Sequence, residues 1–254
     1  MGYLGQYAGP DGTKINSTTQ VKDLGVIISN DGKFEQQIDD LVKKARSQTG
    51  WILRVFETRE ETCMITLFRS LILPLVEYCC QLWSPRRIGL IRRVETIQRS
   101  FTFRIRRIQH MNYWDRLAQL KLYSLERRRE RYFIIYTWKM INGLVPNINE
   151  ENMSIRTRMN ERRGLTCLIP NIQRSALQSV QTMKEESLLV HGPRLFNVLP
   201  RELRVFSGTL ETFKLKLDKF LQSVPDKPAL PHYQQSASSN SLLDQIAHQR
   251  VGRL

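Results

Sequence analysis

The sequence predicts a mainly α-helical protein with a small N-terminal β element, an antiparallel helical bundle and a smaller irregular α unit. Three observations support this fold class. From Phe34 onward, apolar residues recur at spacings of three and four, as in amphipathic helices. Residues that start or end helices flank several of these stretches. Hydrophobic residues make up 41% and charged residues 25% of the 254 residues, as in globular proteins.

The predicted β element covers residues 1–32. Pro10-Asp11-Gly12 is a turn signal, and the β-branched run Val26-Ile27-Ile28 is typical of a strand. Asn30-Asp31-Gly32 follows as a second turn signal, so we expect the β element to end there.

The predicted helical bundle covers residues 33–145, and its first helix begins at Phe34. The apolar stripe of that helix is formed by residues three or four apart, namely Phe34, Ile38, Leu41, Val42, Ala45, Thr49, Ile52 and Phe56. A second helix is predicted from Thr58, whose hydroxyl would form a capping box with Glu61. We expect it to be kinked by Pro74 and to end before Ser84-Pro85.

Three more helices complete the predicted bundle. One covers Leu90–Ile108, and a short one covers Tyr113–Lys121. The last is capped by Ser124 and ends at Asn142-Gly143. Its segment Tyr132–Trp138 is apolar on all sides, which favours a central buried helix, although the segment alone would also fit a strand.

The remaining residues divide into three predicted parts. Residues 146–163 form a polar linker, and residues 164–225 form a second unit that Pro170, Gly192-Pro193 and Leu199-Pro200 break into short pieces. Its last helix covers Leu210–Leu221. The tail, residues 226–254, is rich in Pro, Gln, Ser and Asn, so we expect it to be disordered.

The charge of the chain is large and concentrated. The net charge is +15 and the isoelectric point is about 10.0, which indicates a polyanionic partner, either nucleic acid or an acidic membrane surface. Between Arg86 and Arg131 there are fourteen Arg or Lys and four Asp or Glu, so this segment carries +10 of the total. Thirteen of the fourteen are Arg, which binds phosphate through two parallel hydrogen bonds.

Most candidate binding residues lie on or just before the predicted third helix. In the Leu90–Ile108 helix, Arg92, Arg99 and Arg106 are seven apart and would line the face opposite the apolar stripe. Phe103 would lie among them, which suits a groove that binds a backbone and stacks a base. The full set is Arg86, Arg87, Arg92, Arg93, Arg99, Phe103, Arg106 and Arg107. A solvated helix face with salt bridges is the alternative, but only Glu95 provides a nearby opposite charge.

The run Arg127-Arg128-Arg129-Glu130-Arg131 is open to two interpretations. It lies at the N-terminal end of a helix, where positive charge opposes the helix dipole. Either neighbouring carboxylates or a bound anion would compensate. Structural arginines and ligand contacts are therefore both consistent with this run.

The sequence has no pattern of a catalytic site, a metal site or a cofactor site. Asp39-Asp40 lies in a helical pattern, which predicts an exposed helix face rather than a two-metal centre. The four histidines are scattered, the four cysteines form no CxxC pair, and phosphate-binding glycine loops are absent. No apolar run is long enough to span a bilayer, and no signal peptide is evident, so we expect an intracellular protein in the nucleus or cytoplasm.

Several segments in order resemble the non-LTR retrotransposon reverse transcriptases of the jockey-like and CR1-like kind. They are Val21–Val26, Leu73–Tyr78, Leu82–Pro85, Val94–Arg99, Tyr113–Leu117, Leu125–Arg129, Gly192–Pro200 and Phe213–Lys214. The resemblance covers about residues 20 to 245, and its specificity comes from the order and spacing of the segments. The part of these enzymes that the chain resembles is the region on the C-terminal side of the polymerase palm.

The resemblance implies the edge of a palm, a helical thumb and a C-terminal extension, in a fragment or degraded copy of such an enzyme. In the family the thumb holds the template–primer duplex through its backbone. The catalytic [FY]xDD hairpin is not in this sequence, so polymerase activity does not carry over to this chain alone. The implied partners are RNA–DNA hybrid or RNA and a separate palm and fingers segment.

Three other roles fit the sequence. A domesticated copy could act as a helical protein-interaction module, and a remnant could have no selected function. A membrane-surface role is less favoured, because such proteins place exposed apolar residues beside lysine-rich faces.

Overall fold

The computed structural model describes residues 10–13, 18–145, 155–162, 164–172, 178–228 and 240–251. It confirms a mainly helical protein with a small two-stranded sheet near the N-terminus. Strands β1 (Gln20–Asp23) and β2 (Val26–Ser29) pair antiparallel across a two-residue turn. Both turn residues, Leu24 and Gly25, have positive φ, at 44° and 85°, as tight hairpins require.

Helix α1 covers Glu35–Val55, as its apolar stripe predicts. Ile38, Ala45 and Ile52 are fully buried in a first core that also contains Val26 of β2. The side chain of Gln37 joins the hairpin to α1, because its Oε1 accepts a hydrogen bond of 2.8 Å from the Ile27 amide.

The second predicted helix is a series of short pieces. They are α2 (Glu61–Leu67), a π-helical turn (Phe68–Ile72), α3 (Leu73–Glu77) and α4 (Cys80–Trp83). The predicted capping box is wrong, because α2 begins only at Glu61 and has no side-chain cap. The Thr58 hydroxyl instead accepts from the Glu60 amide at 3.3 Å. The predicted disturbance at Pro74 is present, since proline provides no N–H and the wide π turn directly precedes α3.

Helix α5 covers Ile88–Thr102 and is shorter than predicted, with a separate 3-10 turn at Arg106–Ile108. Side chains donate hydrogen bonds to carbonyls in its last turn. The Thr102 hydroxyl donates to the Gln98 carbonyl at 2.9 Å, and the Arg116 guanidinium donates to the Arg99 carbonyl at 3.3 Å. Ile105 and Ile108 still reach the first core, but from the turn rather than from the helix.

The next two helices lie close to their predicted bounds, and the second also has its predicted start and stop signals. Helix α6 covers Tyr113–Leu120 and α7 covers Leu125–Ile141. The Ser124 hydroxyl caps α7 by accepting from the Arg127 amide at 3.1 Å. Gly143, with φ of 66°, follows the end of α7.

Helix α7 contributes to both hydrophobic cores. Leu125 at its start lies in the first core, whereas Phe133, Ile134 and Trp138 lie in the second. The predicted buried helix over Tyr132–Trp138 is therefore confirmed. Residues before 145, the predicted end of the helical bundle, thus contribute to the second core as well as to the first.

The second core is built on α7 by the C-terminal elements. They are β3 (Thr157–Asn160), β4 (Gly164–Cys167), α8 (Gln178–Glu186), α9 (Leu188–Asn197), α10 (Arg201–Arg204), α11 (Leu210–Ser223) and α12 (Leu242–Val251). The buried stripe of α11, Phe213, Leu217 and Leu221, confirms the last helix predicted for this unit.

Three predictions for this half of the chain are wrong. The predicted linker contains β3, which pairs antiparallel with β4, while residues 146–154 and 163 of that linker lie outside the described residues. The pair Gly192-Pro193 lies inside α9 instead of breaking the chain there. Gly192 has no Cβ, which lets α9 approach Thr137 of α7 closely. The tail predicted to be disordered contains α12, and residues 229–239 and 252–254 of it are not described.

Candidate nucleic-acid interface

The structure places the predicted binding residues in several different environments. Arg86 is turned inward, where its guanidinium contacts Nδ1 of His191. Burial lowers the pKa of Arg86 and lowers the pKa of His191 to about 3, with Arg86 itself contributing to the His191 shift. Arg86 is therefore mainly a structural residue at the junction of α4, α5 and α9.

Two predicted residues are paired with carboxylates of α1. Arg87 lies 2.9 Å from Glu35, and Arg93 lies 2.5 Å from Asp39. These pairs are exposed and cross between α5 and α1, which pack against each other. Exposed pairs contribute little to stability, but they reduce the positive potential that these arginines offer to a ligand. Asp39 thus lies on an exposed helix face, as predicted. Arg92 is partly buried on α5.

The remaining predicted residues gather where α5 ends. We call this segment the basic end; it consists of the predicted residues Arg99, Phe103, Arg106 and Arg107 together with Arg104, and all of them except the partly buried Arg99 are exposed. Because α5 ends at Thr102, Arg106 does not continue the helical row of Arg92 and Arg99, and that part of the prediction is wrong. The Arg106 amide instead donates to the Arg59 carbonyl at 3.4 Å.

The arginines of the basic end have no acidic partner in the part of the chain that the structure describes. None of them takes part in an ion pair within 4.0 Å there. Glu95, the one nearby carboxylate in the sequence, is 6% exposed and faces the interior. Four cations within residues 99–107, three of them exposed, therefore have no ion-pair partner among the described residues.

A shallow groove lies beside these arginines. Its lining residues come from α5, the following turn and α6, and they are Thr96, Arg99, Ser100, Phe103, Arg104, Tyr113 and Arg116. The Arg99 guanidinium lies over the Tyr113 ring, 4.8 Å from its centroid. The Phe103 ring is 52% exposed on one wall.

Arg116 forms the floor of the groove and was missed by the sequence reasoning. It is 4% exposed and donates to the Met111 carbonyl at 2.7 Å and to the Thr102 hydroxyl at 3.3 Å. Its guanidinium lies 5.7 Å from the centroid of the Phe103 ring. Arg104 was missed as well, because the sequence placed it within a continuous helix. The position of Arg104 follows from the end of α5 at Thr102, for which the sequence gives no signal.

Tyr113 is held by a buried carboxyl. Its hydroxyl donates to Oε1 of Glu95, and the Leu125 amide donates to the same oxygen at 3.1 Å. Burial raises the pKa of Glu95, and burial together with the neighbouring Glu95 raises the pKa of Tyr113 well above 10.0. This interior pair connects the groove to the start of α7.

The arginines of the Arg127–Arg131 run are mostly structural. Arg128 pairs with Glu77, and Arg131 pairs with Asp218 through two bonds of 2.5 and 2.7 Å. Arg127 is fully buried and donates to the Pro225 carbonyl at 2.9 Å. These contacts support the structural interpretation of the run.

A second polar cluster lies in a cavity of 150 Å³ between α7, α9 and the start of α12. Glu126, Glu130 and His191 line it together with Arg129, whose Nε donates to the Ser84 hydroxyl at 3.2 Å. Burial raises the pKa of both glutamates, and their mutual repulsion raises that of Glu126 further. Glu126 is therefore the carboxyl of this cluster whose burial most opposes ionisation.

The raised pKa of Glu126 predicts that the protein loses stability at alkaline pH. A carboxyl whose folded-state pKa exceeds its usual 4.5 contributes most stability below that value and loses it as the pH rises toward the folded-state pKa. We expect Glu126→Gln, which cannot ionise, to raise the melting temperature at pH 8.5 and to change it little at pH 5. Thermal unfolding followed by circular dichroism at both pH values measures this. An equal change at both values would contradict it.

Among the described residues, no group of three or more His, Cys, Asp or Glu side chains could hold a metal ion. In the same part of the chain, no helix has the length and apolar character needed to cross a bilayer.

Comparison with known proteins gives limited similarity. No family model matches the chain. It is similar to an uncharacterized protein of Caenorhabditis elegans, with 24% identity over 119 residues, which is 46% of this chain. The matched region spans 60% of that protein's own length. No solved structure matches the chain.

Proposed function

We propose that this chain is a nucleic-acid-binding module of an RNA-directed DNA polymerase from a non-LTR retrotransposon, without the catalytic aspartates. One observation carries the proposal. The exposed Arg104, Arg106 and Arg107 and the partly buried Arg99 follow one another in the basic end, and none has an ion-pair partner among the described residues.

Phosphate is the ligand that best suits this surface. Guanidinium groups form paired hydrogen bonds with phosphate oxygens, and each neutralised phosphate releases a condensed counterion. A surface of this kind predicts salt-dependent binding with little sequence preference. The family resemblance adds the ligand class, RNA–DNA hybrid or RNA, and implies that the palm and fingers segment is the protein partner.

The decisive experiment removes the exposed charges of the basic end. We expect the triple variant Arg104→Gln, Arg106→Gln and Arg107→Gln to lose affinity for a 12-base-pair RNA–DNA hybrid and for RNA of the same sequence. The slope of log K against log salt should fall by about two to three, since each phosphate contact contributes about 0.7 to 0.9. Fluorescence anisotropy from 50 to 300 mM salt measures this slope. The range includes about 0.1 M salt, where the Debye length is about 10 Å.

A matched control removes three positive charges elsewhere. Lys43, Arg46 and Lys219 are exposed and lie on α1 and α11, so the triple Gln variant has the same net charge. We expect its salt slope to change by less than one. If both triple variants lose affinity equally, the binding is non-specific attraction to a basic protein. If neither variant loses affinity, the basic end is not the binding surface, and if the wild type binds neither probe, the chain is better described as a protein-interaction module.

A further inference from the structure

The geometry at the end of α5 points to a site for an unpaired base, with Phe103 as the stacking surface and single-stranded RNA or DNA as the ligand. This inference rests on the nucleic-acid binding proposed above. It goes beyond binding of a duplex through its phosphate backbone, because it assigns a role to a base as well as to phosphates.

The Phe103 ring lies beside a cation and is partly open to solvent. The guanidinium of Arg116, a residue that is 4% exposed, lies over the ring at 5.7 Å from its centroid. Phe103 itself is 52% exposed and lines the groove. Phe103 also follows the last residue of α5, where its backbone N–H still donates to the Arg99 carbonyl at 3.2 Å. The backbone of Phe103 is thus anchored to α5, and its ring has a cation beside it before any ligand binds.

Phe103 has no evident role in folding. It belongs to neither hydrophobic core, unlike its neighbours Phe101 and Ile105, which are fully buried. A large aromatic side chain that is half exposed and supported by a buried arginine is the arrangement that base stacking requires.

The surroundings of the ring match a nucleotide rather than an isolated aromatic ligand. Arg99 and Arg104 line the same groove, and Arg106 and Arg107 follow within four residues of Phe103. A base on the ring would place its flanking phosphates among these cations. Thr96 and Ser100 also line the groove, and their hydroxyls donate back to α5 carbonyls at 2.7 and 3.1 Å, which leaves their oxygens available as acceptors.

A duplex cannot use this site fully. Each base within a duplex is stacked on its neighbours, so Phe103 could reach a base face only after that base had left the stack, which costs free energy. An unpaired base meets the ring without this cost. The inference therefore predicts that Phe103 discriminates between single strands and duplexes, whereas the arginines serve both.

The test compares Phe103→Ala and Phe103→Tyr with wild type on two probes, a 12-nucleotide RNA without self-pairing and the RNA–DNA hybrid of the same sequence. We expect Phe103→Ala to weaken RNA binding about tenfold with an unchanged salt slope, since stacking of one base is sequence-tolerant and independent of counterion release. Phe103→Tyr should retain RNA binding. Hybrid binding should change less than twofold in both variants.

A 2-aminopurine base in the RNA reports stacking directly. Its fluorescence should be quenched on binding to wild type and to Phe103→Tyr, and not on binding to Phe103→Ala. Equal loss for RNA and hybrid, or no loss for either, would overturn the inference. If the arginine triple variant loses affinity while Phe103→Ala does not, the proposed function stands and the base site is wrong. If wild type binds neither probe, the proposed function fails and the base site fails with it. Far-UV circular dichroism confirms that each variant is folded.

Discussion

Replacing Leu242 by alanine is expected to lower the free energy of unfolding by about 3 kcal/mol, although the residue lies in a segment whose composition predicts disorder. Leu242 is fully buried in the second core, together with Leu217 and Phe213 of α11. Its amide also donates to both carboxyl oxygens of Glu130, at 3.1 and 2.9 Å. The alanine would leave a cavity in this core while the backbone bonds remain.

Urea denaturation followed by tryptophan fluorescence measures the change, since Trp138 lies in the same core. The matched control is His248→Ala on the exposed side of α12, for which we expect a change within about 0.5 kcal/mol. If Leu242→Ala were equally mild, α12 would not be docked on the second core in solution.

The tail helix shows why composition alone was misleading. Residues 226–254 are polar enough to predict disorder, but a few of their side chains make specific buried contacts. Asp226 accepts from the Ser124 amide at 2.6 Å and from Asn240 at 2.7 Å, and so joins the start of α7 to the segment before α12. Contacts between residues about 100 positions apart leave no local pattern in the sequence.

The elements with strong local signals were predictable. The apolar stripes of α1 and α11 and the caps of α6 and α7 depend on residues within one or two turns. The end of α5 was not predictable, because the apolar period continues through Ile105 and Ile108 while the helix stops at Thr102. Near that end the Arg99 carbonyl accepts both from the Phe103 amide and from Arg116, which lies on another helix and leaves no signal in the sequence around α5.

The sequence predicted the region of the candidate site, but not which arginines of that region are free of carboxylate partners. The concentration of arginine after Arg86 is a property of the sequence, and it indicates the region correctly as a basic one. Which arginines remain available depends on tertiary contacts. Arg87 and Arg93 meet carboxylates more than 50 positions earlier, on α1, so the sequence around them could not reveal the pairing.

Removal of the Glu95 carboxyl should be the second large effect, because two buried donors depend on it. In Glu95→Ala the Tyr113 hydroxyl and the Leu125 amide both lose their acceptor. Each unsatisfied buried donor costs about 1 to 3 kcal/mol, so we expect a loss of about 3 kcal/mol in the free energy of unfolding. The start of α7, which Leu125 begins, should be the first region to lose protection from hydrogen exchange.

Glu95→Gln separates the hydrogen bonds from the charge. The amide oxygen can still accept from Tyr113 and Leu125, and the variant removes a carboxyl whose pKa burial already raises. We therefore expect Glu95→Gln to stay within about 1 kcal/mol of wild type at pH 7, a difference from the alanine variant that urea denaturation resolves. Since Tyr113 supports Arg99 at 4.8 Å, the glutamine variant should also keep its affinity for RNA. Equal destabilisation by both variants would show that the negative charge, rather than the two hydrogen bonds, holds the groove to α7.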